Sequence, residues 1–401
     1  MTNNLKMEAA RIDAAKETRV NQDLKKLVLK TQDLPGKALG TTETDHILNL
    51  ALAVLHEGDF QQRWEVAKIW PKLGKKSIAP LLTILADEEA DVEIRWFVGR
   101  ILGEFDDPQV IMALTNLLQV TEEEELSMMA ASTLAKIGEG AIESLSKLLL
   151  EPSLRMTAVH SLAQIRHSQT ILPLLTVIDD PNPQVRATVI EALGSFHDEH
   201  LVTFLLKGLK DPTARVRKEA VIALGMQHQF KKKFGLVEYL KPLLYDHDPQ
   251  VCQQAIIALG RMADNSAAEA LFILLKSPAT PNMMKKEVIR ALSWIETPQA
   301  LVYLQEGLRW GNLKVCEEII SALGREQRPQ LKTQATQILL NFIDSEQEAT
   351  REPQIKQSVA MALGELRDPI SVEVLENLTT DPDQGVRLHA IAALRKFSDV
   401  N

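Results

Sequence analysis

The sequence predicts an all-α, right-handed α-α superhelical solenoid of about eleven helix pairs. Three observations carry that expectation. A segment recurs: Asp180 to Gly194 reads DPNPQVRATVIEALG, Asp211 to Gly225 reads DPTARVRKEAVIALG, and Asp246 to Gly260 reads DHDPQVCQQAIIALG. Its end returns at Gly103, Gly194, Gly225, Gly260, Gly324 and Gly364, with variants at Ala135, Ala163, Ser293 and Arg395. Leu and Ala supply most of the apolar residues while only 4% of the chain is aromatic, which suits close-packed helices. A repeat of 28 to 40 residues is the mark of a stacked array.

Residues 1–40 lack the repeat and read as an N-terminal segment or cap. Ala9, Ala10, Ala14 and Ala15, with Leu24, Leu27 and Val28, suit one or two helices; Pro35 and Gly36 break them. The array is expected over 41–401. Each pair joins a Leu-rich helix, such as 171–178, to a second helix that follows an Asp-Pro turn. Pro at a helix start lacks an N–H that has no partner there, and a nearby Asp accepts from the first free amides. The closing Gly suits a left-handed cap. Val216, Ala220, Ala223 and Leu224 form one narrow apolar stripe. A single pair cannot bury that stripe, so it must stack on the next. Residues 227–235 and 325–353 stretch the period and are expected to form surface insertions. Arg395, Lys396 and Asp399 give the last unit a polar, cap-like end.

The net charge of −9 argues against nucleic-acid binding through bulk charge. No run of about 18 apolar residues is present, so no spanning helix is expected. The N-terminus does not read as a signal peptide. With only Cys252 and Cys316, no disulfide framework is expected, and the chain reads as cytoplasmic.

The pattern Asp-Pro-x-x-x-Val-Arg-x-x-Ala-x-x-Ala-Leu-Gly resembles HEAT repeats of the short bacterial type, found in phycobilin lyases and related cyanobacterial proteins. The resemblance covers roughly 46–400. It implies a ladder of charge pairs between successive repeats, fitted by Asp180 with Arg186, Asp211 with Arg217, and Asp381 with Arg387; Glu89 with Arg95 is a close variant. It further implies that the second helices line a concave surface.

Several residues stand out against this register. Cys252 and Cys316 take the arginine position of the ladder, two repeats apart. Stacked helices lie about 8–10 Å apart, so the sulfurs should be on the order of 20 Å apart, too far for a disulfide or a shared metal. They read as apolar plugs, with either thiol as a single ligand or bilin nucleophile the alternative. On each second helix the positions seven and three before the closing residue face away from the stripe. These include Trp96 and Arg100, Met128, Met156 and His160, Lys218, and Lys286 and Arg290, the candidate partner-binding residues. Trp and Met are favoured at interfaces; cover by neighbouring loops or by the N-terminal segment is the competing account.

Other signals are weaker. Glu122–Glu125 reads as a solvated helix start. Lys231–Lys233, between Phe230 and Phe234, has the composition of a nucleic-acid contact on an otherwise acidic chain. His197–His200 reads HDEH, which suggests a metal site or simply a helix cap. HEAT-repeat deoxyhypusine hydroxylases hold iron through His-Glu pairs seven and six residues before the closing Gly. No unit here has His-Glu at those positions.

No catalytic constellation is legible, so a non-enzymatic scaffold or adaptor is expected, binding another protein on the concave face. The resemblance implies, as a specific partner, an A-type iron–sulfur carrier whose own cysteines ligate any cluster. The alternative it implies is a phycobilin lyase or bilin-handling protein acting on a phycobiliprotein subunit. No cofactor of the chain's own is expected. A HEAT-like DNA glycosylase is opposed by the negative charge.

Overall fold

A computed structural model describes residues 18–22, 24–27, 41–345 and 347–398. From Thr41 onward the described residues hold 23 α-helices and short 3-10 turns, and no described residue is in a strand. Pro35, Gly36, Asp399 and most of the N-terminal segment lie outside the described residues. Residues 18–22 and 24–27 are helical, with Val20 and Leu27 buried. Asn21 accepts a hydrogen bond from the Gln62 side chain at 3.0 Å.

The chain divides into two compact units, Met1–Ala192 and Leu193–Asn401. In the first, Phe60–Ala67, Val92–Leu102, Glu124–Ile137 and Arg155–Ile165 pack in chain order, each against the next. In the second, the same is true of Ala214–Met226, Pro249–Arg261, Asn282–Trp294, Leu313–Gly324, Pro353–Leu366 and Gln384–Ser398. Each second helix also packs on the Leu-rich helix of its own pair, as Asn265–Lys276 does on Asn282–Trp294. This is the packing of an all-α solenoid.

The stripe is buried as its spacing predicts. Val216, Ala220, Ala223 and Leu224 are buried, as are Val251, Ala255, Ala258 and Leu259 one unit later. Each large aliphatic side chain contributes about 1.5–3 kcal/mol when removed from water. The stripe is wider than expected, because Val221, Ile256, Ile289 and Ile320 are buried too.

The closing glycines correct the expectation of a left-handed cap. Among the described residues only Gly74, Gly138 and Gly235 take positive φ. Gly194, Gly225, Gly260, Gly324 and Gly364 lie within right-handed helix. A Cβ on any of them would come within 2.5–3.0 Å of the Cβ of an alanine in the next unit: Ala223, Ala258, Ala291, Ala362 or Ala393. Glycine is therefore required by close helix–helix approach. The alanine it meets always sits two residues before the next closing position. Left-handed caps fall instead on Arg166, Gly235 and Arg367.

The ladder is also wired differently from the expected pairing. Arg217 donates through Nη1 to the carbonyls of Asp211 and Pro212 in its own turn, at 2.9 and 3.0 Å. Its Nε and Nη2 grip both carboxylate oxygens of Asp246, in the following unit, at 2.7 Å each. Arg387 makes the same carbonyl contacts to Asp381 and Pro382, and Arg186 to Asp180 and Pro181. The acid six residues back thus offers its main chain, while its carboxylate accepts from the amide two residues on and from the previous unit. Two rungs escape the Asp-x5-Arg pattern: Arg155 reaches Asp180 at 2.8 Å, and Lys356 reaches Asp381 at 2.6 Å. Arg95 donates to the Leu85 carbonyl, and Glu89 is exposed.

Candidate functional site

The first unit carries an aromatic cluster built on three successive second helices. Phe60 and Trp64, one turn apart, stack with ring centroids 6.3 Å apart. Both meet the buried Phe97 edge-on, at 5.2 and 6.5 Å. Trp96 is half-buried beside Phe97. The Arg100 guanidinium lies 4.9 Å from the Trp96 ring centre and 5.6 Å from that of Trp64. One repeat further, Met128 is 59% exposed, while Phe60 and Trp64 are 57% and 38% exposed.

Two hollows open on this surface. One, of about 350 Å3, lies among Trp64, Pro71, Phe97 and Ile101, and Lys68, Glu104 and Lys136 also line it. The other, of about 280 Å3, lies among Trp96, Met128, Met129 and Ser132, with Glu125 at its edge. Arg100 borders both. Lys68 is paired with Glu65 at 2.8 Å, and Lys136 with Glu104. Arg100 has no carboxylate partner among the described residues; its contacts are the two indole faces.

The other sequence-predicted residues are placed as follows. Met156 is half-buried and His160 exposed. Ala187, at the outward position of its helix, is buried and corrects the register there. Lys218 lies 3.3 Å from Glu219, Arg290 lies 3.2 Å from Glu287, and Lys286 pairs with Glu318. These three cations are thus engaged along the surface.

In the second unit a charged cleft of about 610 Å3 lies among Arg290, Trp294, Glu318, Ser321, Arg325 and Arg328. It shares Ser321 and Arg325 with a neighbouring hollow that reaches exposed Met361. Arg328 donates to the buried Glu326 through Nε at 2.6 Å. Its Nη1 is 3.4 Å from Glu296, within ion-pair range but without a hydrogen bond.

Both cysteines are buried. Cys252 points its sulfur at the Asp246 carbonyl, 3.0 Å away, the place of the arginine in other units. Burial, then the nearby Asp246, pushes its thiol pKa up. Cys316 sits 3.5 Å from the Gly311 carbonyl, and burial pushes its thiol up to about 11. Neither offers a thiolate near neutral pH, which fits the plug and leaves little for a ligand role. Lys285, the ladder residue between them, faces the Trp310 ring at 6.0 Å instead of an acid.

Asp198 of the HDEH run caps the Glu199–Gly208 helix, accepting from the His200 amide at 2.9 Å. That hydrogen bond, with a second from the His200 ring, lowers its pKa. No group of three His, Cys, Asp or Glu side chains able to hold a metal occurs among the described residues. Lys231 donates to the carbonyls of Met262 and Ala263, and Lys233 pairs with Glu199 at 2.5 Å. That tract thus serves internal contacts.

Sequence reasoning missed Phe60 and Trp64, which lie ahead of the first recognisable closing position at Gly103. A signal was available: three of the five tryptophans fall at 64, 70 and 96, in a chain with 4% aromatics.

The stacked hairpins and their charge ladder define a class, the α-helical repeat proteins. The model for HEAT repeats matches residues 78–155, 142–225, 235–324 and 346–400, more than half of the sequence. The chain belongs to the HEAT-repeat family. Kap121p bound to RanGTP is similar, with a TM-score of 0.60 and 14% identity over 90% of this chain and 45% of that one. A Kap95p structure with RanGDP has a TM-score of 0.55 at 12% identity, over 93% of this chain and 59% of that one. This chain spans about half the length of those two, and the likeness is one of fold alone. Human deoxyhypusine hydroxylase matches at 22% identity over 73% of this chain and 96% of that one, with a TM-score of 0.29. No curated protein sequence matches. No described helix is long and apolar enough to cross a membrane.

Proposed function

We propose that this chain is a non-catalytic scaffold that binds another protein through the Trp64, Trp96, Arg100 and Met128 surface. The observation that carries this reading is the cluster itself. Aromatic, Met and Arg side chains are the residue types enriched at interface cores and hot spots. Here Trp64, Arg100 and Met128 are exposed, Trp96 is half-buried among them, and the four come from three separate helices. The resemblance implies that the second helices, which carry these residues, line a concave surface.

The specific partner in this proposal is an A-type iron–sulfur carrier. Supporting it are the resemblance to short cyanobacterial HEAT arrays and the state of the two thiols. Both are buried with raised pKa, so the cluster would belong to the carrier and this chain would contribute no cofactor. A cytoplasmic location accords with two unpaired cysteines. A bilin-handling role is the second reading, favoured by one observation: the aromatics that look dispersed in sequence converge around Arg100, a setting suited to a planar acid.

Affinity capture from the native cell with mass spectrometry separates the two. The adaptor reading expects a cysteine-rich carrier and no pigment; the bilin reading expects retained colour on co-expression with a phycobiliprotein subunit. The double substitution Trp96→Ala with Met128→Ala should weaken capture at least about tenfold, as loss of hot-spot side chains does, with helicity unchanged. Unaltered capture refutes this surface as the binding face.

A further inference from the structure

We infer that the partner presents an amphipathic helix to this surface, with two apolar side chains one and a half to two turns apart and a single carboxylate between them that docks on Arg100. This deepens the proposed function and rests on it.

The spacing comes from the stack. One hollow lies between the Phe60–Ala67 and Val92–Leu102 helices, the other between Val92–Leu102 and Glu124–Ile137. Adjacent inter-helix grooves are separated by about one helix spacing, 8–10 Å. A helix rises 1.5 Å per residue, so residues i and i+7 lie about 10 Å apart on one face. An extended strand places same-face residues about 7 or 13 Å apart and fits less well. On the helix, the residue at i+3 or i+4 then falls between the two anchors, opposite the group that borders both hollows, which is Arg100.

The charge comes from the pairing. Lys68 and Lys136 are committed to Glu65 and Glu104. Arg100 is exposed, lies over two indole rings and has no carboxylate partner among the described residues. A carboxylate meeting the edge of its planar fork makes a charge-assisted, bidentate contact. Elsewhere the chain, with a net charge of −9, repels an acidic partner. Exposed Glu125, at the edge of the second hollow, opposes a further acid on that side. The surface thus selects one acid in one register.

The test uses two fluorescein-labelled, alanine-based helical peptides with Leu at i and i+7. One carries Glu at i+4 and the other Gln. Fluorescence anisotropy with the full chain should show the Glu peptide binding about tenfold more tightly. Arg100→Gln should reduce the preference to less than about twofold, while Arg261→Gln, at an exposed arginine of the other unit, should leave it intact. If Arg100→Gln fails to fold, the comparison of the two peptides on the unaltered chain still decides the matter. Equal binding of both peptides, weakened together by Trp96→Ala, overturns the acid contact and leaves the binding face standing. Binding of neither peptide overturns the helical ligand, and native capture then judges the binding face separately. A preference for Glu that survives Arg100→Gln also overturns the inference.

Discussion

Replacing Gly324 by alanine should destabilise the second unit, although a helical glycine ordinarily gains from that change. The new Cβ would lie 2.7 Å from the Cβ of Ala362 and 2.8 Å from its Cα. Both distances are below van der Waals contact, and one neighbour is backbone, so relief requires the two helices to separate. Overpacking of this kind costs about 1–3 kcal/mol, and the geometry here places it near the top of that range. The gain in helix propensity is at most about 1 kcal/mol, which leaves a loss of about 2 kcal/mol. A long repeat array does not unfold in one step, so the local measurement is the sharper one. Amide hydrogen exchange across Leu313–Gly324 and Pro353–Leu366 should accelerate about 30-fold. Ala362→Gly alone should cost about 1 kcal/mol. Combining the two balances the propensities and removes the Cβ–Cβ contact, while the contact to the residue-362 Cα stays. The double variant should therefore recover in part, losing less than the about 3 kcal/mol that additivity expects. Slower exchange in Gly324→Ala, or no recovery in the double variant, would refute close approach as the reason for the glycine.

Three further outcomes are expected. Arg217→Met leaves Asp246 without the hydrogen bonds that hold its carboxyl below the usual range, and should cost about 3 kcal/mol near neutral pH. A depressed folded pKa stabilises above the unfolded value and loses that contribution as pH falls through the folded one, so the variant's acid-unfolding midpoint should move to higher pH. Cys316, with its thiol pushed up to about 11, carries about one thiolate in a thousand at pH 8. Its labelling by a disulfide reagent should be at least about 100-fold slower in native protein than in urea. Ala263, exposed at φ 47, should gain about 1 kcal/mol on replacement by glycine, read as a higher Tm.

The repeat made much of the molecule legible before any coordinates. The buried stripe, the outward positions at Trp96 and Met128, and the plug-like place of Cys252 all follow from one register. The same register misread the closing glycine, because a helix end followed by a turn invites a capping explanation. It also passed over Arg155 and Lys356, whose acids lie 25 residues ahead in the next unit. Lys285 shows the same rule by substitution, since its forward neighbour is Trp310 and not an acid.

The division between the two kinds of knowledge follows sequence distance. Within one helix, 3.6-residue periodicity ties position to face, so burial, turn chemistry and the location of candidate residues can be read directly. Between helices, a side chain's partner depends on how units are stacked. That is why only the tertiary structure brought Phe60 and Trp64 against Phe97, set Arg100 over two indoles, and placed five of the six closing glycines against an alanine in the next unit, with Gly103 against Thr133. The sequence decided which residues face outward on most second helices, Ala187 being the exception. The stacking decided which of them stand together, and so where on this chain a partner finds aromatic surface and an uncommitted arginine.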